Sequence, residues 1–275
     1  MVGGMLLFSL SDVAAKRLHA DGIPVLEIAW FRYVALALSL VAARLLGVPW
    51  KRSTRPTTQV VRALCVVGAV VLFIAGVARL HVATATALVF LSPLFVTALS
   101  VLFLNEAVSA ARWGWVALGF AGVVVVAQPN GSTFDLSSLF PMASAAAWAA
   151  GMVLTRRLAA DDSTVTTQAY SAAVGLGVLT LVLPLDVVLP GAPELAWLAV
   201  MALCWTGAQW LVAAAYGGHP PPSVAPYAYS QLVWATLLGT AFSQQWPTAA
   251  TLFGAAIIVV AGVGAARATS RPRSA

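Results

Sequence analysis

The stretch Ala83–Glu106, ATATALVFLSPLFVTALSVLFLNE, decides the fold class of this chain. It is apolar for more than 20 residues and carries no charge before Glu106. A helix of that length crosses a hydrocarbon core of about 30 Å. Pro93 lies near its middle, where the missing N–H removes one helix hydrogen bond and predicts a kink. Such a kink is tolerated in a membrane bundle, because neighbouring groups can satisfy the freed carbonyl.

The composition of the whole chain also indicates a membrane protein. Of the 275 residues, 61% are hydrophobic and 9% are charged, whereas soluble domains average roughly 25% charged residues. The net charge of +6 therefore gives no reason to expect nucleic acid as a partner. Cys65 and Cys204 both fall in apolar segments and are interpreted as small core residues.

Hydropathy and breaker residues predict ten membrane helices in an all-α protein. Short connections rich in glycine and proline, such as 22–24 and 190–193, separate them. The first apolar segment begins at Gly3 and soon meets Lys16, so either its helix is short or the native start lies upstream. The predicted helices are 3–18, 25–46, 58–79, 82–104, 110–128, 138–157, 165–184, 195–216, 223–243 and 249–267.

The basic residues predict that both termini are cytoplasmic. With the N-terminus inside, eleven basic residues, Arg62 among them, lie on cytoplasmic loops or helix ends. Only Lys16, Arg17 and Arg79 lie on the outer side. Cytoplasmic loops of membrane proteins carry such an excess of Lys and Arg. Residues 268–275 then form a basic cytoplasmic tail.

An internal repeat divides the chain at an offset of about 140 residues. Lys16–Leu18 corresponds to Arg156–Leu158, and Ala63–Cys65 corresponds to Ala202–Cys204. Each half holds five helices, an odd number, so the second half must enter the membrane the other way up. Secondary transporters are often built from such inverted repeats, with the site near the midplane between them. The predicted repeats span residues 3–128 and 138–267.

Glycines eight residues apart recur in the last helix of each half. They are Gly114 and Gly122 in the fifth helix, and Gly254 and Gly262 in the tenth. We interpret them as smooth faces where helix backbones approach each other closely.

With these features the chain resembles the EamA-type branch of the drug/metabolite transporter superfamily. The resemblance is carried by Ser11–Lys16 in helix one, Glu27–Tyr33 in helix two, Leu88–Leu94 in helix four, and the glycine-rich closing helices. It covers nearly the whole chain. It implies ten helices, an outward and an inward state, and transport of a small metabolite across the bacterial inner membrane without ATP.

Within the superfamily, the chain resembles bacterial exporters of aromatic and other amino acids. This narrower resemblance rests on Trp148–Ala150, on Phe90–Pro93 and on the Tyr-rich start of helix nine. It implies a central cavity built from helices one, three, four, six, eight and nine, with Trp148, Phe90 and Ser92 on its wall. The chain departs from the family where an acid often follows helix nine, because Gln244 or Gln245 stands there.

Further polar and aromatic residues at membrane depth are candidates for the cavity wall. Amide and hydroxyl groups could bind the amino and carboxylate groups of a zwitterion, and rings could stack on an apolar side chain or cover a cation. Hydrogen bonding between helices explains the same residues equally well. The candidates are Gln209, Gln231, Ser230, Tyr229, Tyr227 and Trp205.

Asp12 is a carboxylate inside helix one, so it should face the bundle interior or water. It is either a proton-coupling or substrate-binding acid, or one half of an ion pair with Lys16 or Arg32; we favour the pair slightly.

Glu27 and Arg32 are interpreted as a structural pair near the outer side. His81 is interpreted as a cap or loop residue, as is His219 at the equivalent place in the second half.

The sequence as a whole predicts a secondary transporter that exports small metabolites, amino acids foremost, by alternating access. A nucleoside, vitamin, cofactor or drug-like cation is the alternative cargo, and a membrane enzyme or a non-transporting scaffold is the alternative class. The sequence contains no phosphate-binding glycine loop and no His-Glu-x-x-His motif, which argues against an ATP-driven pump or an enzyme. We expect a monomer in the lipid bilayer, without cofactor or metal.

Overall fold

A computed structural model shows an all-helical protein. It describes residues 1–49, 51–104, 110–127, 136–159, 161–183, 187–218, 225–243 and 246–269. Single 3-10 turns at Leu136–Ser138 and Ala225–Tyr229 precede two of the helices. The α-helices of these residues are α1 (Val2–Ala20), α2 (Val25–Leu45), α3 (Pro56–Arg79), α4 (Val82–Val89), α5 (Ser92–Leu104), α6 (Ala110–Ala127), α7 (Leu139–Leu158), α8 (Thr164–Val182), α9 (Ala192–Gly218), α10 (Ser230–Ser243) and α11 (Ala249–Thr269).

The helices match the ten predicted segments, since α4 and α5 together occupy the fourth. Among the described residues, five helical segments are long and apolar enough to cross a membrane by length and composition. Shorter apolar helices are Val82–Val96, Trp113–Val126 and Ala249–Ala265. The five long segments are Val25–Leu45, Pro56–Arg79, Leu136–Leu158, Thr164–Val182 and Ala192–Ala215.

The fourth segment is broken rather than kinked, which corrects the predicted single helix 82–104. Helix α4 ends at Val89, and α5 begins at Ser92, one residue before Pro93. Between them, the Leu91 N–H donates to the Leu88 carbonyl at 3.1 Å in a tight turn. Proline clashes with the carbonyl four residues earlier, here that of Val89, but fits the first turn of a helix, where its missing N–H is not needed.

Helix packing relates the two halves of the chain. Helix α3 packs on α7, and α9 packs on α1. These two contacts interchange when segments one to five are exchanged with segments six to ten. Two further contacts, α3 on α8 and α9 on α2, interchange in the same way, while α2 on α8 and α6 on α11 map onto themselves. The repeat boundaries at 3–128 and 138–267 stay predictions.

Two of the predicted packing glycines, Gly122 and Gly254, lie where α6 and α11 cross in close contact. A Cβ at Gly122 would lie 2.9 Å from the Gly254 carbonyl oxygen, and a Cβ at Gly254 would lie 2.6 Å from that of Gly122. A Cβ at Gly262 would overlap the Tyr229 ring, so this position also needs glycine. Among the described residues, a Cβ at Gly114 would have no neighbour within 4 Å, which contradicts the interpretation of Gly114 as a packing residue.

Several predicted features lie wholly or partly outside the described residues. They are Glu106, the Gln244–Gln245 pair, His219 and most of the basic tail 268–275. His81 is described, and it caps α4: its Nδ1 accepts a hydrogen bond from the Ala83 N–H at 3.3 Å. This confirms the interpretation of His81 as a cap residue.

Candidate functional site

Asp12 and Arg32 form an ion pair inside the bundle. Asp12 lies in the second half of α1, and Arg32 lies in the second turn of α2. Arg32 Nη2 is 3.1 Å from Asp12 Oδ1, and both side chains are almost completely buried. Of the two partners that the sequence offers to Asp12, the structure selects Arg32, whereas Lys16 donates instead to the Leu80 carbonyl. Burying either charge alone would be costly, so the pair stabilises both.

Side chains from four helices meet at this pair. Arg32 Nε points at the Met201 sulfur of α9 at 3.2 Å, and its guanidinium lies 5.9 Å from the centre of the Trp205 ring. Gln231 of α10 donates to Asp12 Oδ2 at 3.4 Å. We call Asp12, Arg32, Met201, Trp205 and Gln231 the Asp12–Arg32 site. Its helices α1 and α2 come from the first half of the chain, and α9 and α10 come from the second.

Two of the predicted cavity residues, Trp205 and Gln231, therefore belong to the Asp12–Arg32 site. Phe90 and Tyr229 form a separate stacked pair, with ring centres 4.9 Å apart. Helix α10 begins beside that pair: Ser230 Oγ donates to the Tyr227 carbonyl at 2.7 Å, while the Tyr227 side chain is 58% exposed.

The remaining cavity candidates do not join these groups. Trp148 on α7, Ser92 at the start of α5 and Gln209 on α9 are half-buried. Within the described residues they form no side-chain hydrogen bond or ring contact with the Asp12–Arg32 site or with the Phe90–Tyr229 pair. Their place on a cavity wall stays a prediction.

The predicted pair of Glu27 with Arg32 is wrong. Glu27 is buried, and its carboxylate accepts a hydrogen bond from the Val188 N–H at 3.1 Å. The two residues are five apart on one helix, and only residues three or four apart face each other. Glu27 therefore fixes the segment that precedes α9, and Arg32 is left to Asp12.

A second buried arginine, Arg62, joins α3 to α8. Arg62 Nε donates to Gln59 Oε1 at 3.1 Å, and its Nη2 donates to the Thr167 carbonyl at 2.9 Å and to Ser171 Oγ. Gln59 in turn donates to Asp162 at 2.7 Å. We call these five residues the Arg62 cluster. Arg62 is predicted to be one of the basic residues on cytoplasmic loops or helix ends, but its side chain is buried, with 3% exposed. The sequence signal for this cluster was the spacing of Gln59 and Arg62, two polar residues three positions apart in an apolar segment.

Both buried arginines lie in the first half of the chain, but their contacts with the second half correspond to each other. The offset of 139 residues that matches Ala63–Cys65 to Ala202–Cys204 also matches Arg62 to Met201 and Arg32 to Ser171. The Arg32–Met201 contact and the Arg62–Ser171 contact thus correspond to each other. Each couples a helix of one half to a helix of the other, near opposite ends of the bundle if the halves are inverted.

The structure is thus an apolar bundle of many helices with a buried charge pair where α1, α2, α9 and α10 meet. A profile of the EamA-like transporter family matches residues 1–128. Residues 1–128 therefore form an EamA-like transporter domain of the drug/metabolite transporter superfamily, and the family and the relatives of the chain are transporters rather than enzymes.

Known relatives resemble the chain over nearly its full length. It is 28% identical over 256 residues to an S-adenosylmethionine uptake transporter of Rickettsia conorii, covering 91% of this chain and 85% of the relative. It is 28% identical over 273 residues to a riboflavin transporter of Rhizobium johnstonii, covering 96% and 88%. One crystal structure covers 98% of both chains with a TM-score of 0.69 and 20% identity, a likeness in fold. The chain is a small-metabolite transporter and a multi-pass membrane protein.

Proposed function

We propose that the chain transports a zwitterionic metabolite, an amino acid or a compound that contains an amino acid group, by alternating access past the Asp12–Arg32 site. The observation that supports this is the buried pair itself, with opposite charges 3.1 Å apart where four helices of both halves meet. A zwitterion presents an ammonium and a carboxylate. It can therefore replace one internal ion pair with two, Asp12 with the ammonium and Arg32 with the carboxylate.

The surroundings of the pair support the same class of cargo. Gln231 already donates to Asp12 and can donate to a substrate carboxylate instead. Trp205 offers a ring face beside the charges, on which an apolar side chain or a cationic group can lie. S-Adenosylmethionine, the cargo named for the Rickettsia conorii relative, carries both an amino acid group and a sulfonium cation. We place transport in the bacterial inner membrane.

Riboflavin is the second candidate cargo. It is a planar ring system with a hydroxylated chain and no amino acid group. The stacked Phe90–Tyr229 pair favours it, because aromatic rings at that spacing accommodate a flat ligand by stacking. The name of the Rhizobium johnstonii relative points to the same cargo.

Proteoliposomes containing the full chain separate the candidates and the direction of transport. Labelled phenylalanine, leucine, S-adenosylmethionine and riboflavin are each placed inside in one experiment and outside in another. We expect flux of the amino acids or of S-adenosylmethionine, and loss of that flux in the double variant Asp12→Asn/Arg32→Gln, which removes both charges and keeps a polar side chain at each position. Release of amino acids from loaded vesicles would agree with the predicted export.

Two results would contradict the proposal. Flux of riboflavin alone that is lost in Tyr229→Ala and kept in the control Tyr227→Ala would establish the second candidate. Undiminished amino acid flux in the double variant would show that the Asp12–Arg32 site is only structural.

A further inference from the structure

A cleft opens between the end of α2 and the start of α8, away from the Asp12–Arg32 site. Its volume is ≈ 460 Å³, and it is lined by Arg44, Arg52, Ala169, Tyr170 and Ala173. The two alanines leave the space, and the two arginines and the tyrosine hydroxyl supply hydrogen-bond donors. In the predicted topology this end of the bundle is cytoplasmic.

The turn after α2 fixes one side of the cleft. Gly47 has a φ of 85°, a left-handed conformation that ends the helix, and the Val48 N–H closes the turn on the Ala43 carbonyl at 3.0 Å. The loop that follows is bound to α8, because Thr166 Oγ1 donates to the Lys51 carbonyl at 2.8 Å. These bonds hold Arg52 close to α8 and opposite Arg44.

Both guanidinium groups are free to bind an external anion. Within the described part of the chain, neither the Arg44 nor the Arg52 side chain forms a hydrogen bond or an ion pair. The neighbouring carboxylates are already engaged: Asp161 with Arg55 at 3.4 Å, and Asp162 within the Arg62 cluster. Among the described residues, no carboxylate pairs with either arginine at the mouth of the cleft.

The surface beside the cleft is apolar and exposed. Leu38, Val41 and Leu45 are 64%, 57% and 83% exposed, and they follow one another at helical spacing along α2. In a membrane helix such a stripe faces lipid tails. Arg44 thus lies where an acyl chain along α2 would meet its head group. Basic pockets between membrane helices on the cytoplasmic side bind the phosphates of anionic lipids.

We propose that this cleft binds an anionic phospholipid, with the phosphate between Arg44 and Arg52 and an acyl chain along Leu38, Val41 and Leu45. The lipid would bridge α2 of one half and α8 of the other, two helices that pack on each other across the halves. The bound lipid is thus a fixed contact of the bundle, distinct from the transported cargo.

Native mass spectrometry of the purified full chain tests the assignment with phosphatidylglycerol and phosphatidylcholine of equal acyl length. We expect saturable binding of phosphatidylglycerol that weakens roughly 30-fold in Arg44→Gln/Arg52→Gln, from the usual contribution of two surface arginines. The control Arg156→Gln/Arg157→Gln removes the same charge from exposed positions outside the cleft and should leave binding unchanged. Ala173→Phe keeps the arginines, fills the cleft and should also weaken binding.

Three results would overturn the proposal. Equal loss in both double variants would mean that only net charge attracts the lipid. Undiminished binding in Ala173→Phe would mean that the cleft is not the site. Displacement of phosphatidylglycerol by low-millimolar inorganic phosphate would assign the arginines to a soluble anion rather than to a lipid.

Discussion

At the scale of single residues, the position of Arg32 decides the chemistry of the bundle. The sequence placed Asp12 and Arg32 in adjacent helices, but helical spacing alone could not choose between Lys16 and Arg32 as the partner of Asp12, because each was within reach. The choice depends on α9, whose Met201 and Trp205 contact the buried guanidinium. Contacts between segments 170 residues apart carry no signal in local periodicity.

Removing one charge of this pair should destabilise the protein strongly. Asp12→Asn leaves Arg32 buried without its counter-ion, which costs about 3–5 kcal/mol in soluble cores. Thermal unfolding of the purified protein should show a large loss for Asp12→Asn and a much smaller one for Asp12→Asn/Arg32→Gln.

A matched control lies on the protein surface in the same helix. Arg17 and Asp21 form an exposed pair at 2.9 Å, so Arg17→Gln should cost less than about 1 kcal/mol. Similar losses in Asp12→Asn and Arg17→Gln would mean that the buried pair is solvated in the membrane.

At the scale of helices, hydropathy predicted the helical segments well, but it did not predict where a segment is interrupted. Apolar length and breakers placed the ends of most helices within three residues of those observed, because a span must be long and uncharged. The turn at Phe90–Leu91 was missed, because proline at position 93 is compatible with either a kink or a new helix start. The network around Arg62 was missed because its partners lie on α8.

The crossing of α6 and α11 should tolerate no side chain at its centre. Gly254→Ala would push a methyl group against the Gly122 carbonyl, at a cost of about 1–3 kcal/mol. Gly114→Ala, in the same helix as Gly122, meets no described atom within 4 Å and should be neutral or stabilising by up to about 1 kcal/mol. Unfolding curves of the two variants measure the loss of stability in each. Equal losses would indicate that α6 and α11 can move apart to accommodate a methyl group at Gly254.

At the scale of the whole molecule, the contacts of the two buried arginines correspond to each other when the two halves of the chain are exchanged. The Asp12–Arg32 site joins α2 to α9, and the Arg62 cluster joins α3 to α8. Helix α8 corresponds to α2 in the repeat, and α9 corresponds to α3. A transporter that opens at one end while closing at the other needs a separable contact at each end. These two clusters are polar contacts between the halves that match this requirement.

Weakening the Arg62 cluster should therefore shift the balance between the two ends. In Arg62→Gln we expect faster hydrogen exchange in residues 51–62 and 161–171, and equal or slower exchange in residues 25–33. The control Arg55→Gln breaks only the half-exposed pair with Asp161, so it should leave both regions as they are. If hydrogen exchange in Arg62→Gln were faster in residues 25–33 as well as in residues 51–62 and 161–171, the variant would be loosened as a whole, and the two ends would not be coupled.

The Arg62 cluster also has a consequence for biogenesis. Asp12 and Arg32 can meet as soon as two helices have left the ribosome. Arg62 must wait for Thr167 and Ser171, which are made 105 and 109 residues later, a delay of roughly 5–20 s at ordinary rates of synthesis. During that interval Gln59 is its available partner in the cluster. The third helix then carries Arg62 before its partners on α8 exist, so a nascent chain stopped before α8 should be degraded faster than the full chain.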